Sequence, residues 1–107
     1  MVTSKRKLQD AVVATGAGST FVVSGYCYVV FQITGTFVGT VTFQATLDGT
    51  NWIAVRAINM NSGVTATTGT VVGLYQLGVA GLGIVRANVT AWTSGTITVW
   101  VRGSDRG

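Results

Sequence analysis

The sequence predicts an all-β protein, a single antiparallel β-sandwich or jelly-roll-like domain of about eight strands over residues 1–107. Three observations predict it. Apolar and polar residues alternate with a period of two in several short runs, which is the pattern of half-buried strands. Val, Thr and Ile fill these runs, as the pleated geometry of a sheet favours. Turns that contain glycine separate them, and no stretch keeps a helical period.

Taken in order along the chain, the runs and turns place strands near residues 8–14, 20–25, 26–34, 38–47, 51–58, 70–78, 84–92 and 96–103. The run at 26–34 is apolar almost throughout, so we expect that strand to be central and covered on both faces. Residues 59–69 have little periodicity and are predicted to form the longest loop. Glycine-containing turns separate the other strands, except that the strand at 26–34 follows the strand at 20–25 directly.

The alternation is clearest in three runs. Their apolar members are Val41, Phe43, Ala45 and Leu47, then Val85, Ala87, Val89 and Ala91, then Ile97, Val99 and Val101. Polar residues, chiefly threonine, stand between them. We therefore expect the apolar members to face the core and the polar members to face outward.

Catalytic chemistry has few residues to use in this chain. It contains no His and no Glu, and its acids are Asp10, Asp48 and Asp105. General acid–base catalysis, nucleophilic triads and zinc sites all need clusters of such groups. The single cysteine, Cys27, lies in an apolar run and is interpreted as a small buried hydrophobe. The sequence therefore predicts a protein that is not an enzyme and has no cofactor or metal site.

Low charge and high hydropathy point to self-association. Charged residues are 9% of the chain, where soluble domains carry about 25%, and the mean hydropathy is +0.51. No apolar run reaches the roughly 18 residues of a membrane helix, so a membrane is not an expected partner. We expect the excess apolar surface to be buried against copies of the chain or against another protein.

The net charge of +4 is concentrated near the two ends of the chain. Lys5, Arg6 and Lys7 form one cluster, and Arg102 and Arg106 form the other. We interpret residues 1–9 as a basic N-terminal arm that need not be ordered. A solvated tail, a dock for an acidic partner surface, and a phosphate-binding site for nucleic acid are the alternatives, with nucleic acid the least favoured.

Two tryptophans fall on the polar phase of the last two predicted strands. If those strands form a hairpin, Trp92 and Trp100 share an outer face with Arg86 and Arg102. Such a face suits contact with another protein subunit, packing under a loop or the arm, or stacking on a sugar. The assignment depends on register, because one bulge inverts it. Arg86 either meets a carboxylate of another subunit or faces solvent with its stem packed.

The sharpest local pattern is a β-hairpin over residues 39–55. Asp48 and Gly49 begin the chain reversal, and Trp52 opens the return strand. We expect Asp48 to form the turn and Trp52 to pack under the hairpin as a core anchor, with an exposed binding tryptophan as the alternative. One carboxylate is far short of the six to eight oxygen ligands of calcium.

Three blocks in this order carry a family resemblance. They are D-G-T-N-W at residues 48–52, V-A-G-L-G-I-V-R at 79–86 and A-W-T-S-G-T-I-T-V at 91–99. Together they resemble small β-sandwich proteins of tailed-phage virions, of the decoration, neck or tail type. The resemblance covers roughly residues 36–102 and brings no catalytic residues.

The resemblance implies a non-enzymatic structural protein of the virion, assembled in the host cytoplasm. The leading interpretation is a capsid decoration or cement protein, a homo-oligomer with a trimer favoured, whose partners are major capsid subunits. A neck, tail or fibre component that contacts neck or tail subunits is the first alternative. A carbohydrate-binding module for host attachment is the second. Candidate partner-binding residues are Lys5, Arg6, Lys7, Arg86, Trp92, Trp100 and Arg102.

Overall fold

A computed structural model describes residues 3–104. The strands in this span are β1 (Thr3–Val12), β2 (Thr20–Val22), β3 (Tyr28–Thr34), β4 (Phe37–Thr46), β5 (Ile53–Ala54), β6 (Ala57–Asn59), β7 (Thr65–Ala66), β8 (Thr68–Gly69), β9 (Gly73–Gly78), β10 (Ile84–Gly95) and β11 (Ile97–Ser104). The span contains no helix and therefore no helix long and apolar enough to cross a membrane. Two residues that the sequence analysis singled out, Asp105 and Arg106, lie outside the described residues.

The strands form two antiparallel sheets. The first sheet has the order β1-β11-β3-β9-β6-β7, and the second has the order β2-β10-β4-β5, with β8 also paired to β4. The all-β antiparallel prediction is confirmed, and the two sheets are consistent with a β-sandwich. Consecutive strands repeatedly fall in different sheets, so the chain crosses between the layers many times.

The core lies between the sheets and is made by the alternating residues. Val29, Phe31 and Ile33 of β3 are fully buried. The apolar residues of the three alternating runs are also buried, as the sequence predicted, except Leu47 and Ala91, which are exposed. Phe43 joins the layers, because its ring lies 5.0 Å from that of Phe31 in the first sheet. Burial of these side chains is the main force that holds the sheets together.

Among the differences between prediction and structure, two concern strand boundaries and one concerns burial. The strand predicted at 51–58 is divided into β5 and β6, which belong to different sheets. The loop predicted at 59–69 contains β7 and β8, again one in each sheet. β3 is interior to its sheet as expected, but its outer face is open: Gln32 is exposed, so the prediction of cover on both faces is wrong. β5 to β8 have only two or three residues each and carry the chain between the two sheets. Strands this short cannot show an alternating pattern in the sequence.

The prediction of an N-terminal arm over residues 1–9 is wrong from Thr3 onward. β1 pairs with β11, with Lys5 opposite Arg102 and Lys7 opposite Trp100. The register shifts beyond Lys7, and Gln9 turns into the molecule. Its amide nitrogen donates to the carbonyl oxygen of Ala87 at 2.8 Å and to that of Gly16 at 3.0 Å. These bonds offset the cost of burying the amide and fasten β1 to the second sheet.

Candidate interaction surfaces

The two tryptophans that were expected to share a face lie in different sheets. β10 carries Trp92 in the second sheet, and β11 carries Trp100 in the first. The hairpin on which the shared face depended does not form, because the tight turn at Gly95 passes the chain from one layer to the other. The candidate residues divide into two separate groups, one on each sheet.

Trp92 is turned toward the core by the first of two bulges in β10. Val89 pairs with Val41 and Ala91 pairs with Thr40, so two steps along β10 match one step along β4. The extra residue inverts the alternation beyond it, as a bulge does. Trp92 is then half-buried against the core, and its indole N–H donates to the carbonyl oxygen of Gly95 at 3.1 Å. Both the ring and its polar group have partners within the chain.

The first group forms a cationic surface that we call the basic edge: Lys5, Arg6 and Lys7 of β1 with Trp100 and Arg102 of β11. The ammonium groups of Lys5 and Lys7 lie 5.6 Å and 5.1 Å from the centre of the Trp100 ring. At these distances the ring attracts both cations. Lys5, Lys7 and Arg102 fall on the outer face of the sheet, while Arg6 is exposed in the opposite phase.

One acid within residues 3–104, Asp10, lies close to Lys7 of the basic edge. The Lys7 ammonium nitrogen lies 3.3 Å from an Asp10 carboxylate oxygen, and both side chains are exposed. An exposed pair of this kind contributes little to stability, because water and salt screen it. The surface therefore keeps a strong positive character.

A cavity of about 330 Å³ adjoins the basic edge on the outer face of the first sheet. Its lining residues are Lys5, Val30, Gln32, Leu74, Trp100, Val101 and Arg102. Apolar side chains from the middle strands make its floor, and the cations stand on the side of β1 and β11. The outer face thus changes from cationic at its edge to apolar toward its centre.

The second group is centred on Arg86, on the outer face of the second sheet. Its Nε donates to the Gln44 side-chain oxygen at 2.7 Å, and its guanidinium carbon lies 4.1 Å above the centre of the Trp52 ring. Asn88 donates to the same Gln44 oxygen at 3.3 Å. Arg86 thus has polar and aromatic partners within the chain, as a stacked guanidinium favours.

Trp52 is consequently not the core anchor that the sequence predicted. It is half-buried and lies beneath Arg86 instead of between the sheets. The reason is that β4 ends at Thr46 and β5 begins only at Ile53, so Trp52 belongs to the connecting loop. β4 and β5 nevertheless pair as a hairpin, with Ala45 opposite Ile53.

Asp48 forms the turn of this hairpin, as predicted. Its carboxylate accepts hydrogen bonds from the backbone N–H groups of Thr50 and Asn51, both at 2.8 Å, and from the side chains of Asn51 and Thr46. Chiefly because the Asn51 backbone N–H stabilises the ionised form, the pKa of Asp48 is held well below its ordinary value of 3.8. The turn occupies both carboxylate oxygens. Within residues 3–104 no group of three or more His, Cys, Asp or Glu is placed to hold a metal ion.

An exposed apolar surface lies beside this turn, and we call it the apolar groove: Leu47, Ile53, Val55 and Leu82. Leu47 is 74% exposed and Ile53 64% exposed. Together with neighbouring residues they line a cavity of about 390 Å³. The groove stands at one end of the sandwich, beside a hairpin whose turn is closed by the hydrogen bonds to Asp48. Contiguous apolar exposure of this kind marks interaction sites.

The apolar groove was not predicted from the sequence, because the alternation along β4 places Leu47 in the core. Continued alternation along β4 would bury Leu47, but the buried side chain at the end of the strand is Thr46, whose hydroxyl donates to Asp48 at 3.0 Å. Because β4 ends at Thr46, the side chain of Leu47 faces solvent. The sequence indicates the groove only through two large apolar residues, Leu47 and Ile53, on either side of the turn.

Cys27 is half-buried, which differs from the full burial expected of it. Its backbone N–H donates to the carbonyl oxygen of Ser104 at 2.8 Å, and its own carbonyl accepts from Val79 at 3.0 Å. The residue thus links the ends of three strands through its backbone. It forms no disulfide within the described residues.

Comparison with known proteins shows a shared fold. Neither a protein-family model nor a curated protein matches the chain. The crystal structure of SPBc2 prophage-derived protein YomS is similar, with a TM-score of 0.85 and 20% identity over 96% of this chain and 95% of YomS. PBSX exported protein XepA has a TM-score of 0.91 and 15% identity over 95% of this chain. The chain spans 37% of XepA, and at these identities the likeness establishes the fold.

Proposed function

We propose that the protein is a non-enzymatic structural component of a phage or prophage particle, which works by binding other protein surfaces. Its fold is that of two solved proteins, SPBc2 prophage-derived protein YomS and PBSX exported protein XepA. The observation that carries the proposal is the apolar groove. Leu47 and Ile53 are largely exposed on a hairpin of a chain with only 9% charged residues. Such a surface gains free energy when another protein covers it.

The finer role that we propose is capsid decoration by a homo-oligomer, with a trimer favoured and major capsid subunits as partners. Many copies that bind the assembled shell and not its free subunits would stabilise the shell by mass action. A rigid sandwich with an apolar end suits this role, because little ordering entropy is lost when it docks. The role requires no chemistry beyond contact.

A neck, tail or fibre position is the second candidate. XepA is called an exported protein, and this fold accounts for 37% of it, so the same sandwich also occurs as one part of a longer chain. Such use is natural for a module of an extended assembly. The carbohydrate-binding alternative has the least support, because the rings of both tryptophans already have partners within the chain. Trp92 packs against the core, and two lysine ammonium groups lie near the ring of Trp100.

Self-association through the apolar groove is tested by light scattering. We expect a stable oligomer whose mass is the same at low and high salt, because apolar contacts are not screened. The double substitution Leu47→Ser and Ile53→Ser should weaken association by about tenfold or more, since central apolar anchors dominate such interfaces.

Val13→Ser is the matched control, because Val13 is 58% exposed but lies outside the groove. It should leave the mass unchanged. A monomer at every concentration and salt would contradict the proposed self-association, and so would an equal loss of mass in the control.

A further inference from the structure

β1 presents an open strand edge over residues 3–7. It is the terminal strand of the first sheet, and in the part of the chain that the structure describes its only strand partner is β11. Farther along, the edge is closed, because the backbone N–H of Ser19 donates to the carbonyl oxygen of Leu8 at 2.9 Å. Backbone groups on the free side of an edge strand are a template on which an extended segment of another chain can pair.

The charges of this edge select what can pair there. Of the six Lys and Arg residues between positions 3 and 104, four lie on β1 and β11: Lys5, Arg6, Lys7 and Arg102. Lys5 and Arg102 are direct cross-strand neighbours, and Lys7 lies two residues along the same face. A second copy of β1 paired in this position would place its own lysines beside Lys5 and Lys7, and like charges on neighbouring strands are destabilising. A segment with carboxylates at alternate positions would instead meet Lys5 and Lys7 on one face.

We propose that the basic edge binds an acidic extended segment of a partner protein, which adds to the first sheet as a strand beside residues 3–7. Its backbone pairs with the free side of β1, and its outward carboxylates lie against Lys5 and Lys7. This inference rests on the proposed structural function for the class of partner, a neighbouring protein of the particle. It assigns to β1 a role separate from that of the apolar groove.

The direct test is fluorescence anisotropy with a labelled peptide in which Asp and Val alternate. We expect saturable binding that weakens with salt, and binding at least about tenfold weaker in a Lys5→Gln and Lys7→Gln double variant, because both charge pairs are lost. Arg56→Gln is the matched control, since Arg56 is exposed on the connection between β5 and β6. The control should bind the peptide as the unchanged protein does.

Peptide variants test strand pairing without altering the protein. A peptide with Asn in place of Asp should bind at least about tenfold more weakly. Two further peptides carry N-methyl groups on alternate amides, one on the odd-numbered and one on the even-numbered residues. The peptide whose methylated amides face β1 should not bind, and the other should bind normally. Equal binding of both methylated peptides would overturn strand addition, and unchanged binding by the lysine variant would overturn the role of the basic edge.

Two further outcomes separate the competing explanations. Tighter binding of polyphosphate or an oligothymidylate than of the acidic peptide would overturn the proposal in favour of a phosphate-binding surface. No binding of any probe would also overturn it, and would leave the lysines as a device that keeps the edge from aggregating. If the protein forms the expected oligomer but does not bind the peptide, this inference is overturned and the proposed function stands. If the protein is a monomer that binds the acidic peptide, this inference is supported and the proposed self-association is not.

Discussion

Replacing Phe43 by alanine is expected to lower the free energy of unfolding by about 3–5 kcal/mol, as truncation of a buried phenylalanine does. Phe43 has no exposed surface, and its ring lies 5.0 Å from that of Phe31 and 5.2 Å from that of Tyr75. It belongs to the second sheet and its two aromatic partners belong to the first. The substitution therefore opens a cavity at the contact between the layers. Since small domains are stable by about 5–15 kcal/mol, the loss is a large fraction of the total.

Chemical denaturation measures this loss, with Phe37→Ala as the control. Phe37 is half-buried at the start of β4, so the same truncation there removes fewer contacts. We expect the midpoint for Phe37→Ala to fall clearly above that for Phe43→Ala. If the two variants unfold at the same denaturant concentration, the inter-sheet aromatic cluster is not the centre of the core.

Gly95→Ala is expected to destabilise the protein by about 3 kcal/mol or more, because it combines backbone strain with a steric clash. Gly95 ends β10 with φ +85°, a conformation that costs other residues about 1–2 kcal/mol. A methyl group there would fall on the carbonyl oxygen of Thr36 and 2.7 Å from the α-carbon of Phe37. That oxygen also accepts a hydrogen bond from the N–H of Thr96 at 2.9 Å, so it cannot move freely.

Gly25→Ala separates the two contributions. Gly25 has a similar φ of +89°, but an added methyl group there meets no atom within 4 Å. Thermal unfolding should show a small loss of Tm for Gly25→Ala and a much larger loss for Gly95→Ala. Equal losses would mean that the clash with Thr36 is relieved by movement of the turn.

The core strands could be predicted from the sequence because each buries a single face. Val85, Ala87 and Val89 alternate with polar residues and are buried in the structure. The first part of β1 has no such alternation, because the consecutive residues Lys5, Arg6 and Lys7 place charged side chains on both faces of the strand. A strand at the edge of a sheet is held by its backbone and by a neighbouring strand, and neither is visible in a pattern of side chains.

The candidate site was harder to predict because it depends on register and on strand ends. The bulge between Val89 and Ala91 turned Trp92 from the outer face toward the core, although its position relative to Val85 had predicted the opposite. Termination of β4 at Thr46 exposed Leu47 and created the apolar groove. Both events are single-residue shifts, and a period-two pattern carries no information about where such a shift occurs.

Quantitative mass spectrometry of purified particles would test the proposed structural role most directly. The proposed function places the gene in a phage or prophage, whose particles would be separated from the lysate by density and washed at high salt. We expect the protein to remain with the particles in many copies and in a fixed ratio to a major structural protein. Its presence in the lysate and absence from washed particles would contradict the role.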